Sequence, residues 1–159
     1  MNTHFTIRRA MAEDASPVAG MVDELLTEIM ETIGEQAFDV SPARTAALLR
    51  DFLDAGRYIV FVAFSGDSKP AGFIALCESC SLYAGGVYGT IPEFYVRPGF
   101  RSSGLGQALL AEAKRFGESL GWTRLEVATP PLPEFERTVA FYEREGFSVT
   151  GGRKMKVPL

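Results

Sequence analysis

The sequence predicts a mixed α/β fold, α+β in its connectivity, with about seven strands in one mixed sheet and helices on both faces. Three observations carry this. Residues 58–65, Tyr-Ile-Val-Phe-Val-Ala-Phe-Ser, are almost wholly apolar, as in a strand covered on both sides. Apolar residues recur at helical spacing in several separate stretches. A strand, a glycine-rich loop and a helix follow one another from about 87 and lead into a further strand ending near 128, which predicts a right-handed parallel crossover.

Each element has its own signal. Phe5 and Ile7 alternate with polar neighbours, so residues 4–9 read as a first strand. Asp14 is placed as an N-cap, and Val18, Met21, Val22, Leu25, Leu26, Ile29 and Ile33 then share one helix face, with Gly34 as the stop. Ser41-Pro42 reads as an N-cap followed by proline at the first helical position, and Gly56 ends that second helix. Strands follow at 58–65, 71–82 and 87–97, joined by turns at 66–70 and at Gly85-Gly86. Leu105, Leu109, Ala113, Phe116 and Leu120 share a face of the next helix, which Gly121 closes before a fifth strand at 122–128. A proline-rich connection then precedes a helix at 137–145, and 147–150 and 154–157 read as two closing strands. With no repeat, low-complexity tract or interior linker, residues 1–159 are expected to form a single domain.

Composition excludes several functions. The chain has 159 residues and a net charge of −4, and no run of Lys or Arg exceeds two, which argues against a nucleic-acid surface. Its longest apolar run, Tyr58–Phe64, is far short of the roughly 20 residues of a membrane span. The first nine residues have no apolar core of a secretory signal, so a cytoplasmic location is expected. The only histidine, His4, and the two cysteines, Cys77 and Cys80, are too few for a zinc centre. The Cys-x-x-Cys pair sits in strand rather than at a helix start, and reads as two reduced strand cysteines.

The segment most informative about chemistry is Phe94-Tyr-Val-Arg-Pro-Gly-Phe-Arg-Ser-Ser-Gly-Leu-Gly106. A strand feeds a glycine-containing loop that feeds a helix N-terminus, an arrangement suited to phosphate. The P-loop string Gly-x-x-x-x-Gly-Lys-Ser/Thr is absent, and Leu109 stands where a dinucleotide fingerprint needs its third glycine. A third, competing reading of the loop is Arg-x-x-Gly-x-Gly, Arg101 to Gly106, with the pyrophosphate of coenzyme A as ligand. Together with Phe94-Tyr-Val96 and Ala140-Phe-Tyr-Glu-Arg-Glu-Gly-Phe147, it resembles the GCN5-related N-acetyltransferases, the GNAT superfamily, over essentially the whole chain.

That resemblance implies an acyl-CoA N-acyltransferase fold with acetyl-CoA as cofactor. It implies that backbone amides around Phe94, Tyr95 and Val96 hold the pantetheine arm and the thioester carbonyl. Amides of Arg101, Ser102, Ser103, Gly104, Leu105 and Gly106 would cradle the pyrophosphate. The amine then attacks the thioester directly, and two protons must be handled. An alkylammonium ionises only near pH ~10, so a base or a water chain must help. Glu93, the only carboxylate on the 87–97 strand, is the candidate base, with a solvated or salt-bridged strand glutamate as the alternative. Tyr142 stands where the family often has a tyrosine acid for the departing thiolate, with a packed helix tyrosine as the alternative. Pro92 beside Glu93 cannot donate to a ladder and predicts a bulge or an unpaired edge. One departure is Phe135, where many members carry an asparagine seven residues before that tyrosine.

The acceptor is expected to be a primary amine of a small molecule or peptide. Asp23, Glu24, Glu28, Glu31, Glu35 and Asp39 either attract a cationic amine or form a solvated helix face. A homodimer is expected from family habit alone. Two other functions compete: a catalytically idle acyl-CoA-binding or sensing domain of the same fold, and a dinucleotide-dependent oxidoreductase. The missing third glycine weighs against the latter.

Overall fold

A computed structural model describes residues 4–159. The first three residues of the N-terminal stretch, and the start of the expected 1–159 domain, lie outside the described residues. The chain divides into two compact units, one running to Ala128 and one from Thr129 to Leu159.

The first unit contains all the strands. Its elements are β1 (Phe5–Arg9), α1 (Ala15–Ile33), α2 (Pro42–Asp54), β2 (Ile59–Ser65), β3 (Pro70–Ser81), β4 (Gly86–Ile91), β5 (Phe94–Val96), α3 (Leu105–Ser119) and β6 (Leu125–Val127). The sheet order is β1-β2-β3-β4-β6, with β5 paired to β3. All pairings are antiparallel except β4 with β6, the parallel pair that the crossover through α3 creates.

The apolar β2 serves both faces by simple alternation. Val60 and Val62 point into a core with Val18, Met21, Leu49 and Phe73, beneath α1 and α2. Phe61, on the opposite face, meets Phe116 of α3 edge to face at 5.7 Å. The sheet therefore has helices on both sides, as the continuous apolar run at 58–64 requires.

The number of strands is six among the described residues, not about seven. Residues 147–150 and 154–157 form no strand. Their apolar side chains are too few to hold a buried face, and Val149, Met155 and Val157 are all exposed. The fifth strand is also shorter than expected: only Leu125–Val127 pair, because Trp122 belongs to the turn that leaves α3.

Trp122 explains two glycines. Its ring lies over Gly89 of β4 and Gly117 of α3, and at Gly117 a Cβ would come within 2.9 Å of it. Neither position has room for a side chain while the indole is in place. Trp122 also meets Phe116 at 5.5 Å and donates its indole N–H to Glu78 Oε2 at 2.9 Å.

Asp14 does not cap α1 with its side chain. A tight turn at Ala12–Asp14 precedes the helix and places Asp14 in helical conformation. Its carboxylate instead accepts the Met11 N–H at 2.7 Å and two bonds from the Arg8 guanidinium at 2.8 and 2.9 Å. Arg8 first, then the backbone N–H, hold this carboxyl below its ordinary range against the opposing cost of burial. A depressed folded-state value contributes stability above the unfolded value of about 3.9 and loses it as pH falls through the folded one. Asp14→Asn is therefore expected to cost about 1–2 kcal/mol at neutral pH, discounted because Arg8 is half-exposed. In urea titrations the difference from wild type should shrink below pH ~3.

The second unit holds α4 (Glu136–Arg144). Tyr142 packs there against Phe141 at 5.4 Å and Phe147 at 5.2 Å. Among the described residues no helix is long and apolar enough to cross a membrane.

Candidate active site

The fourth predicted strand, 87–97, is two strands with a break. Thr90 pairs with Cys77 and Phe94 pairs with Ile74, so Ile91, Pro92 and Glu93 stand opposite only Ala75 and Leu76. One extra residue is inserted at Pro92-Glu93, the bulge that the proline predicts. Below the break, β4 continues its ladder with β6 through Gly89, Thr90 and Ile91. Above it, β5 pairs with β3 alone.

The register decides which β5 amides face that other edge. Ala75 N–H donates to Glu93 C=O at 2.9 Å, and Arg97 N–H to Ala71 C=O at 2.9 Å. In an antiparallel pair the bonded residues alternate. Glu93, Tyr95 and Arg97 therefore turn their backbone groups toward β3, and Phe94 and Val96 turn theirs away from it. Of the three candidate residues 94–96, two thus present amides to the edge and Tyr95 does not. Tyr95 is instead a core residue, its ring among Val18, Met21 and Phe73.

The loop that follows reaches α3 through Ser102 at φ 59° and Gly104 at φ 82°. This left-handed backbone favours glycine at 104, and no atom lies within 4 Å of where a Cβ would sit there. The first helical bond runs from Ala108 N–H to Gly104 C=O at 3.0 Å. The amides of Leu105 and Gly106 thus have no carbonyl a turn earlier in the helix, at the positive end of its dipole. The strand edge, the open loop and this helix start together fit an extended thioester arm with a pyrophosphate at its end.

The side chain of Arg101, the first residue of the Arg-x-x-Gly-x-Gly pattern, is already engaged. Its guanidinium pairs with both carboxylate oxygens of Glu28, at 2.9 and 2.7 Å, and donates to Val96 C=O at 2.8 Å. It also lies 5.5 Å from the Tyr95 ring. One turn earlier on α1, Glu24 pairs with Arg97 at 2.9 and 3.0 Å. Two of the six acidic residues read as a cation lure are thus spent on arginines at the ends of β5 and its loop. Asp39 is a third, 3.3 Å from Arg44.

Glu93 is part-buried beside Tyr58, whose hydroxyl donates to Oε2 at 3.1 Å, with Oε1 at 3.4 Å. Burial pushes this carboxyl above the usual range, and the Tyr58 bond offsets only part of that. Among the described residues no cation pairs with it, which speaks against the salt-bridged half of the alternative reading. Cys77 of β3 has its thiol pushed up by burial and by the charge of Glu93, while a hydrogen bond with Tyr58 acts the other way. Tyr58 was not singled out by sequence reasoning, and Cys77 was read only as one of two reduced strand cysteines. The available signal was a phenol opening an apolar strand, since a buried tyrosine hydroxyl needs a partner. Tyr142, in the second unit, is buried and held protonated well above its ordinary range by that burial.

Residues 56–149 match the family model described as an acetyltransferase (GNAT) domain. No curated protein matches the sequence significantly. Solved structures do match. A putative acetyltransferase from Arthrobacter sp. FB24 is 28% identical with a TM-score of 0.73, covering 97% of this chain and 92% of that one. A GCN5-related N-acetyltransferase from Ralstonia eutropha JMP134 is 20% identical with a TM-score of 0.75, covering 97% and 99%. A predicted acetyltransferase from Clostridium acetobutylicum, solved with acetyl-CoA, is 16% identical with a TM-score of 0.77, covering 97% and 96%.

Proposed function

The chain belongs to the GNAT acetyltransferase family, and from that premise we propose that it is an acetyl-CoA-dependent N-acetyltransferase acting on a primary amine of a small molecule or peptide. The observation that carries this reading is the broken fourth strand. It leaves the Phe94 and Val96 amides on an edge away from β3, next to the part-buried carboxylate of Glu93.

When bound, acetyl-CoA supplies an acetyl group already activated as a thioester. The residues of the chain bind, orient and move protons. The Phe94 and Val96 N–H groups hold the extended arm and polarise the carbonyl, donors fixed in advance by the β3 ladder. The amides from Arg101 through Ser102, Ser103, Gly104 and Leu105 to Gly106 receive the pyrophosphate. Arg101 acts through its backbone and through its bridge to Glu28, which secures the loop to α1. Glu93 accepts the proton of the incoming ammonium through a water, and its raised midpoint brings it nearer to neutral pH than an ordinary carboxylate. Tyr142 gives its proton to the departing thiolate, a role that rests on the family resemblance and on its being fully protonated at neutral pH. The chain works as one acetyltransferase domain in the cytoplasm.

The test is release of CoA thiol from acetyl-CoA with spermidine, kanamycin, phenethylamine and a lysine-containing peptide. Wild type is expected to turn over at least one of them, and Tyr142→Phe to lower kcat with that amine roughly ten- to hundredfold. Thiol release unchanged in Tyr142→Phe across pH removes the tyrosine from the mechanism. Tight acetyl-CoA binding with no turnover of any amine points to the idle binding domain instead.

A further inference from the structure

Glu93 has a partner that the proposed reaction does not use. Tyr58 sits at the junction between α2 and β2, where its backbone N–H donates to Phe52 C=O at 3.3 Å. Its ring packs against Phe52 with centroids 5.2 Å apart. Those two contacts to one α2 residue fix both the backbone and the ring plane of Tyr58, leaving its hydroxyl aimed at the bulge. The hydroxyl meets Glu93 Oε2 at 3.1 Å and Oε1 at 3.4 Å. A phenol has one proton, so it holds one oxygen at a time, and the shorter approach selects Oε2. On the side of β3, the Cys77 thiol is the titratable neighbour of the same hydroxyl. On α1, the carboxylates of Glu24 and Glu28 are turned to Arg97 and Arg101 instead.

We propose that Tyr58 is a positioning residue for Glu93: its hydroxyl grips Oε2, holds the carboxylate in one orientation at the bulge, and presents Oε1 as the atom that receives the amine's proton. This rests on the reading of Glu93 as the base. The bulge itself is the reason a positioning group is needed. Pro92-Glu93 is the bulged pair, held to β3 by the bond from Ala75 N–H to Glu93 C=O, so the strand fixes the Glu93 side chain less firmly than it would a residue flanked by regular pairs on both sides. A tyrosine anchored on a neighbouring helix supplies the missing constraint. The bond also moderates the cost of burying the carboxylate, since it favours the ionised form that a base requires.

The experiment titrates the ligand-free protein by carbon-13 NMR of labelled glutamate carboxyls, with the Glu93 signal assigned by its loss in Glu93→Gln. In Tyr58→Phe the Glu93 midpoint is expected to rise by roughly 0.5–1 pH unit, because a bond to the charged form has gone. With acetyl-CoA and the amine that wild type acetylates fastest, kcat is expected to fall roughly ten- to hundredfold with KM for acetyl-CoA held, and the acid limb of the pH profile to move upward with the NMR midpoint. A Glu93 midpoint identical in Tyr58→Phe and wild type overturns the Tyr58 role. Turnover retained in Glu93→Gln overturns the base reading instead, so the two failures are separable. If Tyr58→Phe does not fold, replacing all five tyrosines with 3-fluorotyrosine tests the same contact in the opposite direction. The stronger phenol donor is expected to lower the Glu93 midpoint, and no change would refute the contact.

Discussion

Glu93→Gln is expected to lower kcat/KM for amine acetylation by about 10²–10⁴-fold while leaving acetyl-CoA affinity near its wild-type value. The amide keeps the size of the side chain and can still accept from Tyr58, so the bulge geometry is retained and the proton acceptor alone is lost. The pH profile carries the sharper signature. Wild-type activity should rise with pH through a midpoint above the ordinary glutamate value of about 4.3, because burial raises the Glu93 carboxyl. The variant should lack that limb. Stability moves the other way. A carboxyl that binds its proton more tightly in the folded state costs stability as pH rises from the unfolded midpoint through the folded one. At neutral pH the glutamine variant should therefore melt no lower than wild type. Loss of activity accompanied by a lower melting temperature would mean that the bulge had collapsed, and the kinetic result would say nothing about a base.

Trp122→Ala is expected to cost about 3–5 kcal/mol, the range for removing a large buried aromatic side chain. In a domain of this size that corresponds to a fall in Tm of roughly 10 °C. The reason for placing the loss at the high end is the absence of neighbours able to fill the space. Gly89 below the ring and Gly117 beside it have no side chains, so the slot stays open when the indole is gone. Phe116 loses its edge-to-face partner and Glu78 its N–H donor. The position also matters for function. Trp122 fastens the turn from α3 into β6, and β6 is the strand that pairs β4 just below the break. Loosening it should weaken acetyl-CoA binding along with stability, whereas Trp122→Phe, which keeps most of the ring, should do both to a smaller degree. A loss of less than 1 kcal/mol in Trp122→Ala would show that the neighbourhood relaxes into the gap.

Most of the architecture was legible from the sequence because it rests on local rules. The periods of 2 and 3.6 in the apolar residues, glycine at helix ends and proline at 42 are properties of short stretches, and the elements they predict lie within a few residues of those observed. The break in the fourth strand was legible for the same reason: a proline has no N–H wherever it is put. The closing strands failed because alternation in residues 147–157 says what a strand would look like, not whether a partner is there to bury it. The loop could be read as far as its backbone, since Arg101-Ser-Ser-Gly-Leu-Gly106 sets a left-handed turn and a helix start. It could not be read as far as the guanidinium of Arg101, because Glu28 lies 73 residues away in sequence and only the packing of α1 brings the two together. Tyr58 and Glu93 are 35 residues apart and meet for the same reason. What the chain determined by itself was therefore most of the elements up to α4, the bulge and the amide-bearing loop. The tertiary structure alone decided which charges are already spent on one another and which carboxylate is left part-buried beside a phenol. Those outcomes depend on desolvation and on distances across the fold, and neither is written in any one segment.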